Sequence, residues 1–181
     1  MTVQTVHSGP DEDFSATKQL YFSLINEAQE YVYIANPYII PGESIIEALQ
    51  VSALSGVDVR LLLSDQSDNN IVTWCVRSYF ETLLQAGVKI YLISDGFLHS
   101  KIIVADDTVS TVGTTNLDIR SFEQNYEVNM VIYDDAFAIA LKNNLLHDFN
   151  RGNLLDYHTF INRPWWHKIK EGLAKIWSPV L

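Results

Sequence analysis

The feature of this sequence that most constrains its fold is a repeated alternation of helix-like and strand-like segments in the first half of the chain. In order, the pattern predicts a helix over 14–30, the strand YVYIA, a helix over 43–55, the strand VDVRLLL, a helix over 69–85 and the strand VKIYLI. Gly56 and Gly87 stand where the second and third helices end, a position that glycine commonly occupies. Strands that alternate with helices of this length are typical of right-handed crossovers in a parallel sheet covered on both faces.

The second half of the chain predicts hairpins instead of crossovers. Three strand-like runs, HSKIIVA, VSTVGT and YEVNMVIYD, are separated by short polar turns such as Asp106-Asp107, and an amphipathic helix over 134–149 follows them. We therefore predict an α/β fold in which helices flank both faces of a mixed, mostly parallel sheet. We assign residues 1–160 to this domain and residues 161–181 to a basic amphipathic C-terminal helix.

The balance of charge limits the partners that the chain can bind. The 181 residues carry 12 basic and 22 acidic side chains, a formal net charge of −10. Because such a surface repels phosphate backbones, the composition argues against a nucleic-acid partner. The charge is uneven, since residues 151–181 carry 5 basic and 2 acidic side chains. No apolar run approaches the roughly 18 residues of a transmembrane helix, so the sequence predicts no membrane-spanning segment.

The sharpest chemical feature is HSKIIVAD, in which His99 and Lys101 stand two apart on a predicted strand and therefore share one face. A neutral imidazole can attack phosphorus, and an ammonium beside it can bind the non-bridging oxygens and offset the charge of the transition state. The pair suits a metal poorly, because Lys101 has no acceptor atom and repels a cation. The two residues therefore indicate phosphoryl chemistry with no metal and no cofactor.

Two later segments offer groups that could join the same anion site. In GTTNLDIRSFEQNYE, Gly113 permits a close backbone approach, Thr114 offers a hydroxyl and the Asn116 amide can donate to a phosphate oxygen. Glu127 begins the last predicted strand and could accept the proton on the second nitrogen of His99, which would fix its tautomer.

The spacing of these residues resembles a known signature. His99, Lys101 and Asp106 in HxKxxxxD spacing, followed by GTTN, resemble the signature of the phospholipase D superfamily. Over nearly the whole chain, longer stretches are similar to the C-terminal catalytic domain of bacterial cardiolipin synthases. These stretches are ANPYIIPGESIIEAL, GVDVRLLL, AGVKIYLISDGFLHSKIIVADD, GTTNLDIRSFEQNYEVN and RPWWHKIKEGLAKIWSPVL.

The resemblance implies an α-β-α sandwich and phosphatidyl transfer, in which two phosphatidylglycerol molecules give cardiolipin and glycerol through a phosphohistidine. It implies that His99 attacks phosphorus or protonates the leaving alcohol, and that Glu127 holds His99 in place. Lys101, Thr114 and Asn116 would bind the phosphoryl oxygens. The implied substrate is an anionic phospholipid, and the implied location is the cytoplasmic face of a bacterial cell membrane.

Asp106 completes the motif as a catalytic candidate, but it has the opposite strand parity from His99, so a structural role is equally open. Complete enzymes of the family carry two HxKxxxxD copies, whereas this chain has one. The resemblance therefore implies an excised or split half, whose partner is the missing N-terminal half-site or a second copy in a homodimer.

Several interpretations stay open. The function could instead be that of a phosphodiesterase or nuclease of the superfamily, or of a non-catalytic lipid-binding half-domain. We interpret Asp118 and Arg120 as a polar turn and Tyr38 as part of either a rigid turn or a ligand loop. The amphipathic segment from Pro164, rich in tryptophan and lysine, either packs on the domain or lies in a lipid headgroup layer.

Overall fold

The computed structural model describes residues 1–67, 69–96 and 98–178. The helices are α1 (Ala16–Glu27), α2 (Glu43–Leu54), α3 (Asn70–Gln85), α4 (Ile119–Glu123), α5 (Asp135–Arg151), α6 (Tyr157–Ile161) and α7 (Trp165–Lys175). The strands are β1 (Thr2–Ser8), β2 (Tyr31–Ala35), β3 (Ile39–Ile40), β4 (Asp58–Ser64), β5 (Lys89–Ile93), β6 (Ile102–Ala105), β7 (Val109–Gly113), β8 (Leu117–Asp118), β9 (Glu127–Tyr133) and β10 (Asn153–Leu154). The end of the predicted C-terminal segment, 179–181, lies outside the described residues.

The four predicted helices of the domain are confirmed as α1, α2, α3 and α5, and their ends have local causes. The Asn69 side chain accepts the Ile71 N–H at the start of α3. Gly56 and Gly87, just beyond the ends of α2 and α3, adopt φ values of 98° and 97°, which favour glycine. The helix boundaries are therefore encoded by residues next to each helix.

The central sheet has the strand order β1-β9-β7-β6-β2-β4-β5-β10. β2, β4 and β5 are parallel neighbours, as the predicted crossovers through α2 and α3 require. β6, β7 and β9 are joined antiparallel, as the predicted hairpins require. At the β6–β7 turn Asp106 and Asp107 have φ values of 51° and 56°, and aspartate tolerates this left-handed region in tight turns.

The α/β class, the mixed sheet and the helices on both faces are confirmed, but the expectation of mostly parallel neighbours is corrected. Among the described strands antiparallel pairs outnumber parallel ones, because β1 pairs with β9 and β10 pairs with β5 in addition to the hairpins. The sequence did not predict β1, whose residues are mostly exposed and lack an apolar face. An exposed edge strand has no alternation of buried residues that would reveal it.

Helices cover both faces of the sheet around β2, which is buried along its whole length. Val32 and Ile34 belong to the larger core, which α1, α2 and α3 complete. Tyr33 and Ala35 point to the opposite face and pack with Phe149 of α5 and its neighbours. This two-sided burial explains the continuous apolar character of YVYIA.

The strand register brings four segments to one edge of the sheet. The end of β2 pairs with the start of β6 at Ala35 and Ile102, and the end of β7 pairs with the start of β9 at Gly113 and Asn129. The residues that follow β2 and β7 therefore lie beside those that precede β6. We call this the polar edge, and define it by Asn36, Lys101, Gly113 and Glu127.

Candidate active site

His99 and Lys101 lie together at the polar edge, in the segment that enters β6. They were predicted to be on the strand, but β6 begins only at Ile102. Lys101 still extends the ladder, since its carbonyl accepts the Gly113 N–H at 3.2 Å. Its Nζ donates to the His99 carbonyl oxygen at 2.9 Å. The ammonium is therefore held beside the His99 backbone, while the His99 side chain is exposed.

Lys101 is an unusually buried cation. Only 7% of it is exposed. Burial lowers the pKa of its ammonium below the usual lysine value, although the negative charges of Glu127 and Asp118 act in the opposite direction. A poorly hydrated ammonium interacts with an anion more strongly than a surface lysine does. Lys101 is therefore suited to bind the non-bridging oxygens of a phosphate.

Glu127 is oriented by two neighbours. The Thr114 hydroxyl donates to its Oε2, and Asn125 Nδ2 donates to its Oε1 at 3.2 Å. The Thr114 oxygen also accepts the Val128 N–H at 3.0 Å. Because a hydroxyl has a single proton, Thr114 in this arrangement positions Glu127 and does not donate to a phosphate. The predicted phosphate contact of Thr114 therefore needs a rotated hydroxyl and stays a prediction.

Asn116 is engaged with Tyr38 in the structure. Its Nδ2 donates to the Tyr38 hydroxyl at 3.2 Å. Its Oδ1 is buried and has no hydrogen-bond partner among the residues that the structure describes. The predicted donation to a phosphate oxygen therefore requires the amide to turn, and stays a prediction. Tyr38, whose role the sequence left open, belongs to the same cluster.

Asp118 carries a charge into this cluster. Its side chain accepts the Ser121 N–H at the start of α4, and only 2% of Asp118 is exposed, so the structure shows a buried helix cap in place of the surface turn that the sequence suggested. Burial raises the pKa of the Asp118 carboxyl, and hydrogen bonds from Ser121 and Asn116 partly oppose this shift. Burial of the Tyr38 hydroxyl, together with the negative charge of Asp118, raises the pKa of Tyr38 to about 12. Asp118 thus contributes to the electrostatics of the site, which the sequence interpretation did not anticipate.

A buried network of polar side chains lies next to the candidate site, and the sequence analysis did not predict it. Asn129 lies at its centre and donates to the Tyr21 hydroxyl and to Thr111 Oγ1, both at 3.1 Å. Thr115 Oγ1 donates to Asn129 Oδ1 at 2.6 Å. A Cβ on Gly113 would lie 2.3 Å from Asn129 Oδ1, so glycine is required for this packing. The signal available in the sequence was a polar residue at an inward position of β9.

Asp106 lies at the opposite end of β6 from His99. Its carboxylate accepts the backbone N–H groups of Gln29, Glu30 and Tyr31 at 2.7–2.9 Å. These contacts hold the connection between α1 and β2 at the far edge of the sheet. The structure therefore does not bring Asp106 together with His99, Lys101 and Glu127, because β6 lies between Lys101 and Asp106.

We expect Asp106→Asn to lower the free energy of unfolding by about 1–2 kcal/mol, because the neutral amide is a weaker acceptor for three backbone N–H groups. Asparagine tolerates the same left-handed backbone, so the loss reports on the carboxylate alone. Urea unfolding measures the change, with Asp13→Asn in the exposed loop after β1 as the control for removing one charge. A catalytic Asp106 would instead give a folded chain of normal stability and no phosphatidyl transfer once the second half-site is supplied.

The arrangement is of a kind that suits phosphoryl chemistry. It combines an exposed imidazole, a buried ammonium and an oriented carboxylate at one edge of a rigid sheet. Among the described residues no cluster of three or more acidic, histidine or cysteine side chains could hold a metal ion.

A family model described as the phospholipase D-like domain of cardiolipin synthase matches residues 21–149. This chain belongs to the cardiolipin synthase family.

Individual cardiolipin synthases are similar to the whole of this chain but are much longer than it. The cardiolipin synthase of Geobacillus kaustophilus is 45% identical over 179 residues, which are 99% of this chain and 36% of that protein. The chain therefore spans about a third of the length of this relative. Within the described ranges, no helix combines the length and the apolar character needed to cross a bilayer.

Two solved structures share the fold of this chain. Nuc from Salmonella typhimurium, a phospholipase D family member, superposes with a TM-score of 0.72 at 20% identity, over 85% of this chain and 97% of that chain. The phosphatidylserine synthase of Haemophilus influenzae gives a TM-score of 0.76 at 15% identity, over 99% of this chain but 47% of that chain. The α-β-α fold that the resemblance implied is thereby confirmed.

Proposed function

We propose that this chain supplies one half of a phosphatidyl-transfer site that makes cardiolipin and glycerol from two phosphatidylglycerol molecules. The observation that carries the proposal is the buried Lys101 ammonium, which donates to the backbone carbonyl oxygen of the exposed His99. The cardiolipin synthases that resemble the chain over 99% of its length support the choice of substrate.

In the proposed first step a neutral His99 nitrogen attacks the phosphorus of one phosphatidylglycerol. The bond from phosphorus to the glycerol oxygen breaks, and an acid on the other half-site gives that oxygen a proton. Lys101 stabilises the charge on the non-bridging oxygens, and Glu127 would hold the second nitrogen of His99. In the second step the same group on the other half-site, now a base, takes the proton from a hydroxyl of another phosphatidylglycerol, whose oxygen attacks phosphorus and releases His99.

The second half-site is either another part of a longer polypeptide or a second copy of this chain. The first arrangement is supported by the relative, of whose length this chain matches only 36%. A symmetric homodimer could bring two copies of His99 to one axis. The phospholipid substrate implies work at a membrane surface, and we propose the cytoplasmic face.

The deciding experiment measures transfer from labelled phosphatidylglycerol to cardiolipin. The chain is assayed alone and together with the region of the Geobacillus kaustophilus relative that lies outside the matched residues. We expect activity that depends on the added region, or activity of the chain alone that rises with the square of its concentration, as a homodimer requires. Phospholipid binding without transfer in either mixture would favour the non-catalytic lipid-binding alternative.

A further inference from the structure

Helix α7 packs on the domain with its polar side inward. It lies along α3, where His167 contacts the Trp74 ring at 5.0 Å between centroids. Glu171, in the middle of α7, is 2% exposed, and Ala174 is 7% exposed. A surface helix normally buries its apolar residues and exposes its charged ones. In α7 the large apolar side chains are exposed instead, and the charged Glu171 is buried.

Buried ion pairs hold α7 in this orientation. Arg163, just before the helix, donates to Glu171 at 2.6–3.0 Å and to Glu81 of α3 at 2.8 Å. Arg77 of α3 lies 3.6 Å from the same Glu171 carboxylate. Turning the apolar side of α7 inward would break these contacts and leave a buried arginine without its acid, which is strongly unfavourable. The apolar side is therefore fixed outward, and packing of that side on the domain, which the sequence left open, is not what the structure adopts.

The outward side of α7 and the residues after it form a continuous apolar stripe. Its members recur every three or four residues, and 49–72% of each is exposed; they are Trp165, Ile169, Leu173 and Ile176. Trp166 and Trp177 border the stripe and are 50% and 60% exposed. Scattered apolar residues are normal on a surface, but a contiguous stripe with three indole rings marks a binding face.

Lysines flank this stripe on both sides. With about 3.6 residues per turn, Lys168 and Lys175 lie on one flank and Lys170 lies on the other. The ammonium of Lys170 lies 4.9 Å from the Trp74 ring and that of Lys175 lies 4.8 Å from the Tyr79 ring, both on α3. The cations thus lie between the stripe and the body of the domain, the level of lipid headgroups around an embedded helix. Their charge complements anionic headgroups, whereas the chain as a whole carries −10.

We propose that the outward stripe of α7 is a docking surface for an anionic phospholipid bilayer. The helix would lie in the interface plane with its apolar side among the acyl chains and its lysines at the headgroups. The inference stands on the geometry of α7 and does not depend on catalysis.

The direction of α7 relates the stripe to the candidate site. Helix α7 runs in the same direction as α3, since His167 contacts Trp74 and, further along both segments, Ser178 forms a hydrogen bond with Tyr79 at 2.8 Å. Because α3 follows β4, whose end lies at the same edge of the sheet as the end of β2, Trp165 and Trp166 lie at the end of the stripe on the polar-edge side.

The test is binding of the whole chain to vesicles made of equal parts of phosphatidylcholine and phosphatidylglycerol. We expect the double variant Leu173→Ser, Ile176→Ser to bind these vesicles about tenfold more weakly or worse, because two apolar side chains no longer enter the bilayer. The matched control is Val51→Ser, Leu54→Ser, which removes two comparably exposed apolar residues from α2 and should leave binding unchanged. Wild-type binding should fall with added salt and should be weak on pure phosphatidylcholine.

Two further readouts separate lipid docking from its rivals. Quenching by nitroxide-labelled lipid should reach the α7 tryptophans in the wild type, and His99→Ala should bind vesicles like the wild type, so that failure of catalysis cannot imitate failure of docking. Equal vesicle binding by the wild type and the α7 variant would overturn the proposal, as would absence of binding by the wild type. Self-association that the α7 variant abolishes, with no quenching by labelled lipid, would show a protein interface instead.

Discussion

Replacing His99 with alanine is expected to lower the rate of phosphatidyl transfer by at least about a thousandfold in the two-half assay, because the group that attacks phosphorus is removed. Stability should change little, since the side chain is exposed at the polar edge. Labelled phosphatidylglycerol mixed with the wild type and rapidly quenched should give an acid-labile phosphoryl label on the protein. The variant should give none.

The matched control for this experiment is His147→Ala on α5, where the side chain is 77% exposed. It removes one exposed imidazole from the same chain and should retain full transfer activity. A His99→Ala chain that unfolds at a markedly lower temperature would indicate a structural residue. Full activity of that variant, or a label that survives in it, would show that another group attacks phosphorus.

Replacing Lys101 with methionine is expected to slow transfer by about a hundredfold to a thousandfold, the usual cost of removing one charged group that stabilises a transition state. The effect should be large because only 7% of Lys101 is exposed, so water cannot replace the ammonium easily. Methionine is similar in length, so the change removes charge and leaves the shape nearly intact. Binding of inorganic phosphate or vanadate, followed by NMR shifts of residues around His99, should weaken in parallel.

Lys142→Met on α5 is the control for the lysine experiment. Lys142 pairs with Asp107 at the opposite edge of the sheet, so its loss removes one positive charge without touching the polar edge. We expect transfer and anion binding to be preserved in this variant. If both lysine variants reduced transfer equally, a general effect of net charge would explain the data and a specific role for Lys101 would be excluded.

Much of the fold could be predicted because its signals are local. The helices α1, α2, α3 and α5 follow from apolar periodicity, and the hairpin at Asp106-Asp107 follows from two residues that tolerate a left-handed backbone. β1 could not be predicted in the same way, since its stability comes from pairing with β9 and not from an apolar face of its own. The balance of parallel and antiparallel neighbours was misjudged because β2 pairs antiparallel with β6, and because β1 and β10 each add a further antiparallel pair.

The candidate site divides along a similar line. The choice of His99 and Lys101 follows from residue types at a characteristic spacing, and the choice of Glu127 follows from an acidic residue at the start of a predicted strand. The register of β6 and β9 brings their segments to one edge. Spacing alone did not reveal that Asp106 lies at the far edge, where it binds three backbone N–H groups. A sequence motif gives only the positions of residues along the chain. The hydrogen-bond partners of Asp106 depend on the pairing of β6 with β2, which places Asp106 beside the start of β2.

The sequence by itself determined the α/β class, the hairpins of the second half, the charge balance and the chemistry of an imidazole beside an ammonium. Only the tertiary structure decided which polar atoms are already engaged, such as the Thr114 hydroxyl with Glu127 and the Asn116 amide with Tyr38. Only the structure decided which side of α7 faces outward, because that choice rests on ion pairs of Glu171 with Arg163, just before the helix, and with Arg77 of α3, which is distant along the chain. The spacing of apolar residues along a helix depends only on nearby residues, and it shows that the helix has one apolar side and one polar side. Which side is buried depends on the charges that the rest of the fold presents to it.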